Sequence, residues 1–412
     1  MVTSDFESTV IGSFGQMNYV SQHMCEAFEY MGMHVECIAF NSSADIKNVM
    51  SALAQKPDLI YAGWRFYNFL IDADPYDAVN LFDLFDVPVI AMLGDHVYSH
   101  FMTKRLNALP ENIFFISGYD SILAEIRRIK GIKDSQCQQV NFPIYTDPEV
   151  DTSLSAKRDI DLLVPMKIFR TDATIDLLKK QDFKNTPLFP PIIDELYAKC
   201  RHDVTINMFD LALQLISSRI KQPYDFDKMN PRQNALVLRA VDSVDMVIRS
   251  ERRVSLLKQV LKNVDMRITV LCGDNFLELL GDIPPNEIKG ELKTRTRVEA
   301  PELLKLYARS RYVLNCNPTY YSGIHERIRN SASSGCCVIS DENSTLTDKF
   351  RHAESMYFSS RFTEQQYVEL KAEEKRFEVA RRGREIIQQH YNKQQFFDTM
   401  QSFVENQVLA TG

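Results

Sequence analysis

Short apolar runs alternate with amphipathic stretches through the first 150 residues. STVIGSF, QMNYVSQHMCEAFEYMG and MHVECIAF read as strand, helix, strand. The alternation continues with a helix around Asp45–Gln55, a strand at DLIYAGW, a helix near Tyr76–Phe85, a strand at VPVIAML and another at FFISG. Strands alternating with helices imply a parallel, doubly wound sheet, whose ligands gather at the carboxyl ends of the strands.

The pattern breaks at FPIYTDPEVDTSLS (142–155), where two prolines and several acids interrupt any apolar period. The domain boundary is expected there. A second unit opens with the strand RDIDLLVPM and is interrupted by a mostly helical insertion from about Thr171 to Asn263. It resumes as βα alternation: MRITVLCG, ELLKLYARS, YVLNCNP, RIRNSASSG, CCVISD. The predicted organisation is an N-terminal parallel α/β domain over 1–150, a C-terminal one over 151–362, and charged helices over 363–412 packing across the domains.

Composition narrows the class. The 412 residues exceed what one core usually serves, and 45% hydrophobic with 25% charged residues describes a globular chain. A net charge of -7 with no dense Lys/Arg run argues against nucleic acid as a partner. No stretch approaches the roughly 20 apolar residues of a membrane span, and MVTSDFESTV lacks a signal-peptide pattern, so a cytoplasmic protein is expected. The eight cysteines show no CxxC pair and no metal spacing, and are expected to be buried free thiols.

Candidate chemistry concentrates in Pro301–Phe350, where polar residues crowd the loop and helix start between two apolar strands. A helix starting near Ile324 presents the N–H groups of Gly323–Glu326 and the positive end of its dipole, an arrangement suited to a diphosphate. His325 and Arg327 add donors, and Arg327 shares a helix face with Asn330. An ordinary helix with a solvated polar face is the competing reading.

The run G-I-H-E-R-I-R-N-S-A-S-S-G-C-C-V-I-S-D, preceded by L-Y-A-R-S-R-Y-V-L-N, resembles the C-terminal domain of group 1 GT-B glycosyltransferases, closest to the spore-maturation-protein-like group. The likeness covers roughly Arg267 to Phe350. It implies an α/β enzyme of GT-B type, two Rossmann-like domains with parallel sheets facing each other across a cleft. The donor would be a nucleoside-diphosphate sugar and the acceptor a glycan, lipid-linked intermediate or protein. It further implies that His325 and Arg327 lie near the diphosphate, Asn330 near the ribose, Glu326 near the sugar or its phosphate, and Gly335 where the helix turns into the following strand; Asn317 and Gly323 are further candidates for binding the donor. One departure stands out: the E-x7-E positions of many retaining members are Ser322 and Asn330 here, which leaves both stereochemical outcomes open.

Other features carry two readings each. Gly273-Asp274 ends a strand and either lines the nucleotide base or makes a turn. Gly12 and Gly15 permit close approach of a ligand, yet G-x-x-G without a third glycine or a following acid argues against NAD. Asp95 and His96 follow the strand VIAML and are candidate bases for an acceptor hydroxyl, with turn capping the alternative. Asp95 and His100 fall short of a metal site, and no D-x-D pair ends a suitable strand. Trp64 either stacks on a sugar or packs in the core.

The expected reaction is transfer of a sugar to a hydroxyl, with no metal and no cofactor beyond the donor. Hydrolysis or epimerisation of the nucleotide-sugar, or a non-catalytic scaffold role, are the alternatives. Oligomerisation is left open.

Overall fold

A computed structural model describes residues 7–12, 19–39, 45–63, 81–99, 102, 109–144, 149–166, 175–203, 205–226, 228–271, 287–295, 298, 300–317 and 321–411. The chain divides into two compact units. The first comprises Met1–Pro143, Phe226–Leu238 and His390–Gly412, the second Ile144–Asp225 and Arg239–Gln389.

The first unit is built on a parallel sheet of β1 (Glu7–Gly12), β2 (His34–Ala39), β3 (Leu59–Gly63), β4 (Val89–Leu93), β5 (Ile113–Ser117) and β6 (Cys137–Gln139), in the order β2-β1-β3-β4-β5-β6. LIYAG in β3 and IFFIS in β5 are buried at every position, as parallel strands covered on both faces require. Helices α1 (Tyr19–Tyr30), α2 (Ile46–Leu53) and α3 (Asp120–Lys130) connect them. α3 buries Ile122, Leu123, Ile126 and Ile129 at helical spacing and stops at Gly131, whose left-handed φ of 64° suits glycine.

The second unit carries β7 (Ile160–Val164), β8 (Arg267–Leu271), β9 (Glu291–Arg295), β10 (Ser310–Asn315), β11 (Cys337–Ser340) and β12 (Tyr357–Phe358). These too form a parallel sheet, in the order β12-β11-β10-β7-β8-β9. The chain runs outward from β7 to β9, then returns to β10 on the other side of β7. That reversal makes a switch point between β7 and β10, where open α/β sheets bind ligands.

The helical insertion resolves into α4 (Ile175–Asp182), α5 (Phe189–Cys200), α6 (Met208–Ile220) and the 33-residue α7 (Pro231–Asn263). The remaining helices are α8 (Ala300–Arg309), α9 (Glu326–Ser333), α10 (Ser344–Lys349), α11 (Glu364–Glu369), α12 (Glu373–His390) and α13 (Lys393–Phe403). The core of this unit joins Leu162, Val164 and Val270 to Leu257, Val260 and Leu261 of α7, and to Val379 and Ala380 of α12.

Several expectations need adjusting. The sequence boundary near residue 150 is close to the division at Pro143, but residues Phe226–Leu238 of the insertion belong to the first unit. So does the tail from His390: Phe396, Met400, Phe403, Val404 and Val408 pack into one core with Val10, Met24, Phe28 and Phe114. Of the helix expected near Tyr76–Phe85, residues 76–80 lie outside the described residues, and Leu81–Leu84 form one 3-10 turn. The edge strands β6, β9 and β12 were not legible: β6 and β12 are too short for a period, and ELKTR in β9 is largely exposed and charged.

The cysteines are not uniformly buried. Cys25, Cys200, Cys316, Cys336 and Cys337 are, whereas Cys37 is exposed, Cys137 is partly exposed, and Cys272 lies outside the described residues. Among the described residues, no helix is long and apolar enough to cross a membrane.

Candidate functional site

The site develops at the carboxyl ends of β10 and β11, beside the switch point. β10 and β11 pair in register through Asn315 and Ser340, and the Asn315 amide donates to the Ser340 hydroxyl at 3.0 Å. Beyond the strand ends, the Asn317 N–H donates to both carboxylate oxygens of Asp341, at 2.7 and 2.8 Å. Burial pushes the Asp341 carboxyl up against the pull of that amide and of its Cys316 and Ser340 partners. Asp341 therefore ties the two strand ends together. The Asn317 side-chain Nδ2 is buried without a hydrogen-bond partner, a donor suited to an added ligand.

The next segment leads into α9. Gly323 adopts φ 84°, its N–H donates to the Thr345 hydroxyl at 2.7 Å, and its carbonyl accepts from Asn343 at 3.0 Å. The amide of Gly323 is thus committed inside the protein and is withdrawn from the donors expected to meet a diphosphate. α9 starts at Glu326, two residues later than expected, because His325 is its N-cap.

His325 caps through its ring. Nδ1 accepts the Arg327 backbone N–H at 3.1 Å, so the neutral ring carries its proton on Nε2. That Nε2 lies 3.3 Å from Nη2 of Arg327, which puts the imidazole and the guanidinium side by side at the helix start. Nη1 of Arg327 is buried and has no hydrogen-bond partner. Burial first, then the charges of Arg327, Arg253, Arg329 and Arg249, drive the His325 pKa well below its ordinary value. The imidazole is therefore a neutral hydrogen-bond donor at physiological pH and not a proton-carrying acid.

Arg249 and Arg253 come from α7, one turn apart on the same face. Arg253 is 8% exposed, and Arg249 is held by Asp245 of the preceding turn, itself 1% exposed. The insertion that gave no chemical signal thus supplies two of the four guanidinium charges at His325. The stripe Asp245, Arg249, Arg253, charged residues spaced by four among Val244, Ile248 and Leu256, was the available clue. A cluster of four guanidiniums, with Arg253 buried and the other three partly exposed, beside a helix N-terminus suits an anion. Of the remaining residues expected here, Glu326 is exposed and Asn330 is partly buried, with its carbonyl accepting from Ser334.

Gly335 closes α9, and its requirement for glycine is tertiary. Its φ is 76°, and a Cβ there would stand 2.5 Å from Nη2 of Arg158 and 3.2 Å from the Thr152 carbonyl. Arg158, 6% exposed, donates to the carbonyls of Tyr307, Ser310, Ser153 and Ser334. One guanidinium thereby ties the ends of α8 and α9 to the start of β7.

In the first unit, Asp95 is exposed just past β4, while His96 is 1% exposed. His96 Nδ1 meets Glu125 of α3 at 2.7 Å, the ring stacks on Tyr98 with centroids 4.6 Å apart, and Glu125 also accepts the Val97 N–H at 2.9 Å. His96 is a buried anchor that pins its loop to α3, a correction to its expected place beside an acceptor. Gly15, Trp64, His100, Gly273 and Asp274 lie outside the described residues. Among the described residues, no group of three His, Cys, Asp or Glu is placed to hold a metal.

Residues 252–402, which include Arg253, α9 and Gly335, match the glycosyl transferase-like family. The fold is shared with sucrose-phosphate synthase from Thermosynechococcus elongatus, at 11% identity over 99% of this chain and 100% of that one, with a TM-score of 0.51. It is shared as well with Anabaena HepE crystallised with UDP and glucose, at 10% identity over 97% and 99%, TM-score 0.50. A glycosyltransferase from Rickettsia africae gives 8% identity over 97% and 98%, TM-score 0.50. No curated protein sequence matches. Two Rossmann-like units with this match define a glycosyltransferase of the GT-B fold. The match names the broad glycosyl transferase-like family and not the spore-maturation-protein-like subgroup.

Proposed function

We propose that the protein transfers a sugar from a nucleoside-diphosphate donor to a hydroxyl of a glycan, a lipid-linked intermediate or a protein, in the cytoplasm and without a metal ion or other cofactor. The observation that carries this reading is the pair of donors 3.3 Å apart at the α9 N-terminus, His325 Nε2 and Arg327 Nη2, inside a field of four guanidiniums. As the bond from sugar to diphosphate breaks, negative charge accumulates on the leaving oxygens. Fixed donors and positive charge stabilise it most at that moment, the service a divalent cation performs in other transferases. Asn317 Nδ2 adds a donor at the β10 end. HepE, which shares the fold, was crystallised with UDP and glucose, consistent with a donor of this kind. Asp95, exposed at the end of β4, is assigned the base that takes the acceptor proton.

The test is thermal stability against UDP, GDP, ADP, dTDP and CMP, with and without magnesium, since a ligand that binds only the folded chain raises its midpoint. One diphosphate is expected to give a selective rise that magnesium does not enlarge and that Arg327→Ala abolishes. A rise that depends on magnesium would overturn the metal-free mechanism. No rise with any nucleotide would remove the donor site.

A further inference from the structure

Two of the three thiols in the first unit, none of which the transfer chemistry uses, lie side by side. Cys25 lies on α1 and is 8% exposed; Cys37 lies on β2, the edge strand of its sheet, and is exposed. Their sulfurs are 2.8 Å apart, within an ångström of the about 2.05 Å of a disulfide bond. Two sulfurs so close need only a small side-chain movement to bond. Two other thiols have oxygen partners instead: Cys316 meets Asp341 at 3.5 Å, and Cys336 donates to the Tyr307 carbonyl at 2.8 Å.

We propose that Cys25 and Cys37 are a modification site, a dithiol that closes reversibly into a disulfide on reaction with a low-molecular-weight disulfide such as oxidised glutathione. The two members have different parts. Cys37 is exposed on an edge strand and meets the oxidant first, whereas burial and the neighbouring sulfur push the Cys25 thiol up and keep it protonated. The Cys37 thiolate attacks one glutathione sulfur, forming a mixed disulfide and releasing one glutathione thiolate. Cys25 then gives up its proton to solvent and its sulfur attacks Cys37 Sγ, expelling the second glutathione. In sum, two protein thiols and one oxidised glutathione yield one protein disulfide and two glutathiones.

The bond would fasten α1 to the edge strand β2, closing a twelve-residue separation that includes the α1–β2 turn. Because the cross-link restricts the unfolded chain more than the folded one, the oxidised protein is expected to have the higher thermal midpoint. Excess reduced glutathione would reopen the bond, the behaviour of a cytosolic redox pair and not of a permanent staple.

The experiment treats the native full-length chain with oxidised glutathione, blocks remaining thiols by alkylation, and digests with a protease that cuts after glutamate. Glu26, Glu29 and Glu36 lie between the two cysteines, so the linked peptides separate only on reduction. The expected result is a Cys25–Cys37 linked peptide, a raised thermal midpoint, and loss of both on reduction or in Cys37→Ser. Cys37 is exposed, so that variant is expected to fold, which its circular dichroism checks. In Cys25→Ser, Cys37 should instead retain one glutathione. A wild-type protein whose Cys37 carries glutathione while Cys25 stays alkylatable, or whose linkage appears only after denaturation, would overturn the proposal.

Discussion

The ring of His325 and the guanidinium of Arg327 meet at 3.3 Å while the Arg327 backbone donates to the other ring nitrogen at 3.1 Å. One residue therefore caps the helix and fixes its own tautomer, leaving Nε2–H beside a guanidinium. The capping and the anion chemistry are separable, and that separation can be tested.

Asparagine is also a good N-cap, so His325→Asn should keep the folding stability within about 0.5 kcal/mol of wild type. It lacks the Nε2–H at the ring's reach, so turnover should fall by about a hundredfold, the loss typical of one donor to a developing anion. Equal losses of stability and turnover would show that capping alone explains the residue.

The His325 pKa is held below its ordinary value, and the sign of its pH effect follows. Below about pH 6.5 the unfolded chain takes up a proton that the folded ring refuses, so stability falls as pH drops through that range. Denaturation between pH 5 and 8 should show a smaller acid loss in His325→Asn than in wild type.

Arg253→Met preserves most of the side-chain volume of a residue 8% exposed while removing one of the four charges at His325. The affinity for the nucleoside diphosphate should weaken by about 1–2 kcal/mol, roughly five- to thirtyfold. Calorimetric titration gives the number directly. An unchanged Kd would take α7 out of the donor site.

Gly335→Ala combines a left-handed backbone with a Cβ 2.5 Å from Arg158 Nη2, and should cost about 3–5 kcal/mol of folding stability. Arg158→Met, which strips the donor from four carbonyls, should cost a similar amount, about 3 kcal/mol or more. Since both act through one guanidinium, the double variant should lose clearly less than the two losses combined. Additive losses in urea denaturation would refute the coupling.

Asp95→Asn should leave donor binding intact and reduce transfer by about 10²–10⁴-fold, the contribution of a general base. Donor binding is read from the thermal midpoint with the nucleotide, transfer from product formation. Retained transfer would remove Asp95 from the mechanism.

Much of the fold was legible because parallel α/β structure writes itself locally. Fully buried runs such as LIYAG and IFFIS, separated by amphipathic helices, carry their burial in their own composition. The α9 segment was legible for the same reason: cap, donors and closing glycine lie within eleven residues, from His325 to Gly335. The short edge strands β6 and β12 were not, since two or three residues have no period.

By itself the sequence determined what depends on neighbours along the chain: strand and helix alternation, the division near the prolines at 143–148, and the polar helix start with His325 and Arg327. Tertiary structure decided what depends on residues far apart. It brought Arg249 and Arg253 to His325, put Arg158 beneath Gly335, buried His96 against Glu125, and returned Phe396 and Met400 to the core of the first unit. The physical reason is range. Periodicity and capping act within one or two turns, whereas a buried charge or a close backbone approach exists only once distant elements have packed.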